Sequence, residues 1–380
     1  MASSSRPSFS KMMDEYFDNT FDNAFDQALD NQVNQHGDFE EATNPKKTRV
    51  HIERKREEGD IRLWNDYFSK DPVYSSQTFR RCFRMNKGLF MRIVERLSTE
   101  FTFFQQRRDA TGKFGFSTLQ KTTAAIRMMA YGCPADALNE YLRLAPRTAL
   151  SCLEHFVERI NDLFGDEYLR RPTPEDLQQL LDIGELRGFP GMIGSIDCTL
   201  NDINVLDRSP VFDDILHGQA PKVKYSVNSH EYRMAYYLTD GIYPEWATFV
   251  QSIPLPQDQK ASLFAQHQEF VRKDVERAFG VLQARFAIVR NRALFWDKAK
   301  IGKIMRACII LHNMIVEDER DGYTQFNVLE FAQEQSNRTS QVDATYSVEP
   351  SNLTEMMITQ NDIRDRKRHR RLKADLVENI

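Results

Sequence analysis

The sequence predicts two consecutive folded regions: an all-α region and, after it, an α/β domain. The helical region is indicated by apolar residues that recur every three or four positions through residues 61–187. The α/β domain is indicated by two short apolar runs, at residues 191–196 and 235–239, each followed by an aspartate. The expected segments are a tail, a helical domain, an α/β domain and a second tail, at residues 1–59, 60–187, 188–320 and 321–380.

Composition excludes several classes of protein. A net charge of −4 over 380 residues gives no overall attraction to polyanions, so a nucleic-acid surface would have to be local. The 5 cysteines are scattered without a CxxC pair, which argues against a disulfide framework or a zinc site and favours an intracellular protein. The chain has neither the apolar core of a signal peptide nor an apolar run that could span a bilayer. We therefore expect no membrane role.

Three short helical segments in the first domain are spaced like a helix-turn-helix. They cover residues 119–131, 135–144 and 147–164. Gly132 and Pro146 separate them. In a helix-turn-helix the last helix enters a DNA groove with its leading end, where Arg147, Thr148 and Ser151 lie. A plain helical bundle produces the same pattern, so both interpretations remain open at this point.

Three carboxylates of the second domain lie where chemistry is expected. Asp197 and Asp240 follow the two predicted strands, and binding sites in α/β folds lie at strand ends. Glu276 lies on a predicted helix beside an apolar stripe that consists of Val275, Phe279, Leu282 and Phe286. Acids on separate elements, without a neighbouring Cys or His, are the oxygen ligands that Mg²⁺ or Mn²⁺ prefers. Ordinary strand ends and helix surfaces carry such acids too.

Basic residues surround one of these acids. Arg272, Lys273 and Arg277 flank Glu276, which gives a local patch suited to a phosphate backbone. The alternative is a lattice of surface ion pairs without a ligand.

Four ordered blocks of the chain resemble those of the PIF/Harbinger-type DDE transposases and their domesticated plant relatives. The blocks are residues 194–198, 201–206, 237–244 and 275–282. The resemblance extends from about residue 64 to the C-terminus and implies a DNA-binding helical region followed by an RNase H-like nuclease core. It implies Mg²⁺-dependent cleavage of DNA with Asp197, Asp240 and Glu276 as catalytic residues. Asp202 matches a further acid of the family, which would make it a fourth metal ligand.

The chain departs from this family between Asp197 and Asp202. Four residues separate the two acids, where the family has two further strands and a loop. Four residues span at most about 14 Å, whereas two strands need roughly ten residues or more. We therefore predict an incomplete core, with an unpaired strand edge and little or no nuclease activity. The alternative function is a non-catalytic nuclear adaptor that binds DNA or a nuclear chromatin protein.

Two basic runs predict a nuclear protein. One lies within residues 46–56, and the other places seven basic residues among residues 364–373. Such runs suit nucleic acid or an import receptor, and a solvated tail is the alternative interpretation of the second.

Overall fold

The computed structural model describes residues 54–108, 112–196, 222–291, 297–323, 340–342 and 361–380. These residues are rich in helix and carry two small sheets. Asp197, Asp202 and nearly all of the predicted N-terminal tail lie outside the described residues. Within the described part, no helix is both long and apolar enough to cross a membrane.

The described helices are, in chain order, α1 (Arg56–Leu63, continued by a π-helix, Trp64–Phe68), α2 (Ser76–Phe83), α3 (Lys87–Glu100), α4 (Thr118–Tyr131), α5 (Asn139–Leu142, preceded by a 3₁₀ helix, Ala135–Leu138), α6 (Pro146–Tyr168), α7 (Pro174–Leu186), α8 (Gln259–Arg285, followed by a 3₁₀ helix, Ala287–Val289), α9 (Lys298–Tyr323) and α10 (Arg366–Asn379). The described strands are β1 (Met192–Ser195), β2 (Lys222–Val227), β3 (His230–Met234), β4 (Tyr236–Thr239), β5 (Phe249–Gln251) and β6 (Gln341–Val342).

Two compact units divide the chain differently from the predicted segments. The first is Met1–Arg170 with Val281–Thr324, and the second is Arg171–Gly280 with Gln325–Ile380. Helix α7 belongs to the second unit because it packs closely on β1: a Cβ at Gly184 would lie only 2.5 Å from the Met192 carbonyl oxygen. Helix α9 belongs to the first unit, since its apolar side chains share a core with those of α6.

The first unit is a helical bundle. Helix α3 has one apolar face, and all five of its members are buried: Leu89, Phe90, Ile93, Val94 and Leu97. Helix α4 begins with a capping box between Ser117 and Gln120 and ends at Gly132, whose φ of 57° suits a left-handed cap. The three predicted helical segments are therefore present, although the middle one is reduced to a 3₁₀ turn and the four-residue α5.

The second unit is built on a parallel sheet and an antiparallel sheet. The parallel sheet has the order β1-β4-β5, so β1 lies at its edge among the described strands. The antiparallel sheet has the order β3-β2-β6, and β2 and β3 form a hairpin that turns at Asn228 and Ser229, with φ of 47° and 64°. Helix α7 begins with a hydroxyl cap, Thr173, and has Pro174 in first position. Phe264 and Val271 of α8 share a core with residues of β4 and β5.

The apolar stripe predicted on α8 is buried only in part. Leu282 and Phe286 are buried, whereas Phe279 is 51 % exposed and Val275 is half-buried. The reason is length: 27 residues of helix extend about 40 Å, whereas strands of four and three residues extend about 10–13 Å. The sheet of the second unit therefore covers α8 only over its first turns.

The predicted basic C-terminal tail is a folded element. Residues 366–379 form α10, and Leu372 and Leu376 are buried in the core of the second unit. The run of charges conceals an apolar pattern at His369, Leu372 and Leu376, which is the spacing of one helix face. Burial of that face explains why the segment is not a solvated tail.

Candidate functional site

The parallel pair β1–β4 directs two strand ends to one edge of the sheet. Ser195 is level with Leu238, and the Ile196 amide donates to the Leu238 carbonyl oxygen at 2.9 Å. Because the strands are parallel, their carboxyl ends lie side by side. Asp240 directly follows β4. Asp197 follows Ile196 in the sequence but lies outside the described residues.

Asp240 stands at the end of a buried strand, as predicted. Tyr236, Leu238 and Thr239 of β4 are buried, and Asp240 is half-buried. Its Oδ1 accepts a hydrogen bond from the Ile242 amide at 3.2 Å. This contact turns the chain at the strand end and fixes one carboxylate oxygen, while the group stays accessible to solvent.

A buried glutamine that the sequence analysis missed connects α8 to the strand ends. Gln268 is fully buried, and its Nε2 donates to the carbonyl oxygens of Thr239, at 2.9 Å, and Val250, at 3.1 Å. These bonds hold α8 at a fixed height against β4 and β5. The available signal was a polar residue between Phe264 and Val271 on an apolar face.

Glu276 lies two helical turns beyond this anchor and is bound by a neighbouring arginine. It is eight positions beyond Gln268, which is about 12 Å along the helix axis. Its Oε1 is 2.9 Å from Nη1 of Arg272, whose side chain is only 12 % exposed. The guanidinium therefore engages one oxygen of a carboxylate whose side chain is 43 % exposed.

The basic residues around Glu276 are held in ion pairs. Lys273 pairs with Glu269 at 3.8 Å, while Arg277 and Arg187 both pair with Asp274. Burial tends to raise the pKa of Asp274, but the hydrogen bonds and charges of the two arginines outweigh it and hold the pKa below its ordinary value. This is the arrangement of the ion-pair lattice that the sequence left open as the alternative.

The predicted DNA-reading residues occupy the first turns of α6. Arg147 is exposed, whereas Thr148 and Ser151 are half-buried. Farther along the same helix, Glu154 and Glu158 pair with Lys300 and Lys303 of α9, at 2.8 and 3.2 Å. Beyond its first turns, α6 therefore carries anionic side chains and packs against α9. Only the leading end of α6 could contact DNA.

The described residues do not form a ready-made metal site. Among them, no group of three or more His, Cys, Asp or Glu side chains is placed to hold an ion. Of the four predicted ligands, Asp197 and Asp202 lie outside the described residues, and Glu276 is engaged by Arg272. Asp240 and Glu276 have oxygen donors of the kind that suits Mg²⁺, but no described contact joins these two side chains.

These features define a helical unit followed by a mixed αβ unit with an acid at a strand end. The model of a family described as plant transposon protein matches residues 166–200 and 199–323, which is less than half of the chain. This similarity supports a transposase-derived protein. A second family model, described as a domain of unknown function, matches residues 59–98. Neither the curated proteins nor the solved structures contain a match.

Proposed function

We propose that this protein is a transposase-derived DNA-binding protein whose RNase H-like core serves as a scaffold and cleaves DNA little or not at all. The observation that carries the proposal is the parallel β1–β4 pair, which lies within the region similar to plant transposon proteins and ends at Asp240. An RNase H-like core requires its first two acids at the ends of neighbouring parallel strands. The order β1-β4-β5 is compatible with that requirement.

Two features of the second unit argue for a scaffold rather than a nuclease. Strand β1 is the edge of its sheet among the described strands, so no described strand supports its outer side. Glu276 pairs with Arg272 through one carboxylate oxygen, and this guanidinium would compete with a metal ion for that oxygen. Two-ion phosphoryl transfer needs carboxylates fixed within a few tenths of an ångström on rigid elements. The break in the family match at residues 199–200 is consistent with an interrupted core.

The second candidate is an active Mg²⁺- or Mn²⁺-dependent nuclease of the PIF/Harbinger type. Asp240 favours it, because this carboxylate is accessible at a strand end and Ile242 engages only one of its oxygens in a described hydrogen bond. In that case Asp197, Asp202, Asp240 and Glu276 would hold the ions, which would stabilise the attacking and leaving oxygens of the phosphodiester.

DNA binding is expected to involve the leading end of α6. Arg147 is exposed in the first turn, where a helix-turn-helix presents its reading residues and where the helix dipole favours phosphate. Each phosphate contact adds about 0.9 to the slope of log affinity against log salt. We expect full-length protein to bind duplex DNA with a steep slope, and Arg147→Gln to lower that slope by about 1.

The binding experiment has a matched control. Lys70 is an exposed cation of the same unit, and Lys70→Gln changes the net charge by the same amount. Fluorescence anisotropy with a labelled duplex, between low and moderate salt, should show a smaller slope for Arg147→Gln only. A flat slope for the unaltered protein would contradict the proposed function. Equal slopes for the two variants would show that Arg147 of α6 does not contact the DNA.

A further inference from the structure

The C-terminal helix α10 is fixed to the second unit by one face. Leu372 and Leu376 are 3 % and 0 % exposed and lie in a core shared with α7, β4 and α8. Ile363, just before the helix, is buried beside Tyr243 and Phe249. These contacts give α10 a defined orientation, so the residues on its opposite face have defined positions as well.

Polar contacts anchor the same face of α10 at three points. Nδ1 of His369 donates to the Trp246 carbonyl oxygen at 3.0 Å, and Nζ of Lys373 donates to the Ser252 carbonyl oxygen at 3.1 Å. The third anchor is Asp375, whose carboxylate accepts bonds from the hairpin residues Asn228, His230 and Tyr232. A rigid helix, rather than a flexible tail, therefore carries the basic run of the C-terminus.

The opposite face of α10 carries exposed cations in two adjacent rows. Arg366 and Arg370 are one turn apart, as are Lys367 and Arg371, and all four are exposed. Arg370 pairs with Glu245 at 3.2 Å across an exposed surface, a contact of low energy. No described residue forms an ion pair with Arg366, Lys367 or Arg371, so three cations remain available to an external anion.

The positions of two of these cations lower the stability of α10. Arg366 and Lys367 occupy the first turn, where the positive end of the helix dipole disfavours cations. Asp365 caps the helix, and Arg368 is offset by Asp362 and Asp365. No comparable partner offsets Arg366 and Lys367 among the described residues. An arrangement that costs helix stability is better explained by an anionic ligand than by folding.

We propose that this face of α10, formed by Arg366, Lys367, Arg370 and Arg371, binds the phosphate backbone of duplex DNA. The inference rests on the proposed DNA-binding function and adds a second contact surface to it. Charge complementarity selects the occupant, because a row of guanidinium and ammonium groups on a rigid helix meets a regularly spaced row of phosphates. Such contacts add affinity without reading the base sequence.

The test compares two triple variants of the full-length chain that have the same net charge. The first is Arg366→Gln, Lys367→Gln and Arg371→Gln, which leaves the buried face of α10 unchanged. The control is Lys70→Gln, Arg81→Gln and Arg233→Gln, three exposed cations that make no described contact with α10. The salt slope for duplex DNA should fall by about 2.7 in the first variant, at about 0.9 for each lost contact, and by much less in the control.

The possible outcomes separate this inference from the proposed function. A slope that falls equally in both triple variants, or in neither, overturns the role of α10 even if the unaltered protein binds DNA. If the unaltered protein binds no DNA, both the proposed function and this inference are wrong. An α10-dependent slope for an RNA hairpin but not for duplex DNA would assign the surface to RNA instead. Circular dichroism melting of each variant verifies that α10 remains folded.

Discussion

Replacement of Leu376 by alanine will destabilise the second unit by about 2–5 kcal/mol, although the residue is only four positions from the C-terminus. The Leu376 side chain is fully buried and belongs to the same core as Leu177, Phe189 and Leu238. Truncation to alanine removes buried apolar surface and leaves a cavity that this close-packed core fills only in part. Loss of the side chain should also weaken the attachment of α10, whose basic face we assign to DNA.

Urea unfolding followed by hydrogen exchange and mass spectrometry measures this effect unit by unit. Peptides from β4, β5 and α10 should lose protection at lower urea in Leu376→Ala, while peptides from α3 and α6 should not change. The matched control is Lys367→Ala on the exposed face of the same helix, which should not lower the stability. Equal unfolding of the two variants would show that α10 is not part of the core.

Substitution of Gly191 by alanine is expected to destabilise the second unit by roughly 2–5 kcal/mol, which combines two separate costs. The φ of Gly191 is +82°, in the region that residues with a Cβ rarely adopt. An added Cβ would also overlap the ring of Tyr225. That ring cannot yield easily, because it is buried and stacked on Tyr232 with centroids 5.5 Å apart. Gly191 therefore sets the entry of the chain into β1.

Gly194, three residues later, is the matched control for this substitution. A Cβ at Gly194 would lie 3.6 Å from Tyr237, which is an ordinary contact, and Gly194 is not among the glycines with positive φ. Thermal unfolding should therefore show a large drop in melting temperature for Gly191→Ala and a small change for Gly194→Ala. Similar melting temperatures for the two variants would contradict the described packing between β1 and the hairpin.

Much of the fold could be predicted from local patterns in the sequence. The helix end at Gly132 and the buried run that ends at Asp240 each depend on neighbours in the sequence, and both are confirmed. Strand β5 was not predicted because its three residues are too few to show an alternating pattern. Helix α10 was missed because charges outnumber the apolar residues of its buried face. Gln268 was missed because its bonds to Thr239 and Val250 join segments that are distant in the chain.

The candidate site could be predicted residue by residue but not as an arrangement. Sequence blocks located Asp240 and Glu276, and the spacing of Arg272 and Glu276 on one helix allows the ion pair that the structure shows. The exposure of Phe279 depends on how far the sheet extends beneath that helix. Properties of this kind follow from tertiary packing, which a periodic pattern does not contain.

The central claim, that this protein binds DNA without cutting it, is tested most directly with one supercoiled plasmid. Full-length protein is incubated with the plasmid and Mg²⁺ or Mn²⁺, and samples are run on agarose before and after removal of the protein with detergent. We predict retarded plasmid before removal and intact supercoiled plasmid after it. Nicked or linear plasmid that is absent with Asp240→Ala and with Glu276→Ala would contradict the account and establish a working metal-dependent nuclease.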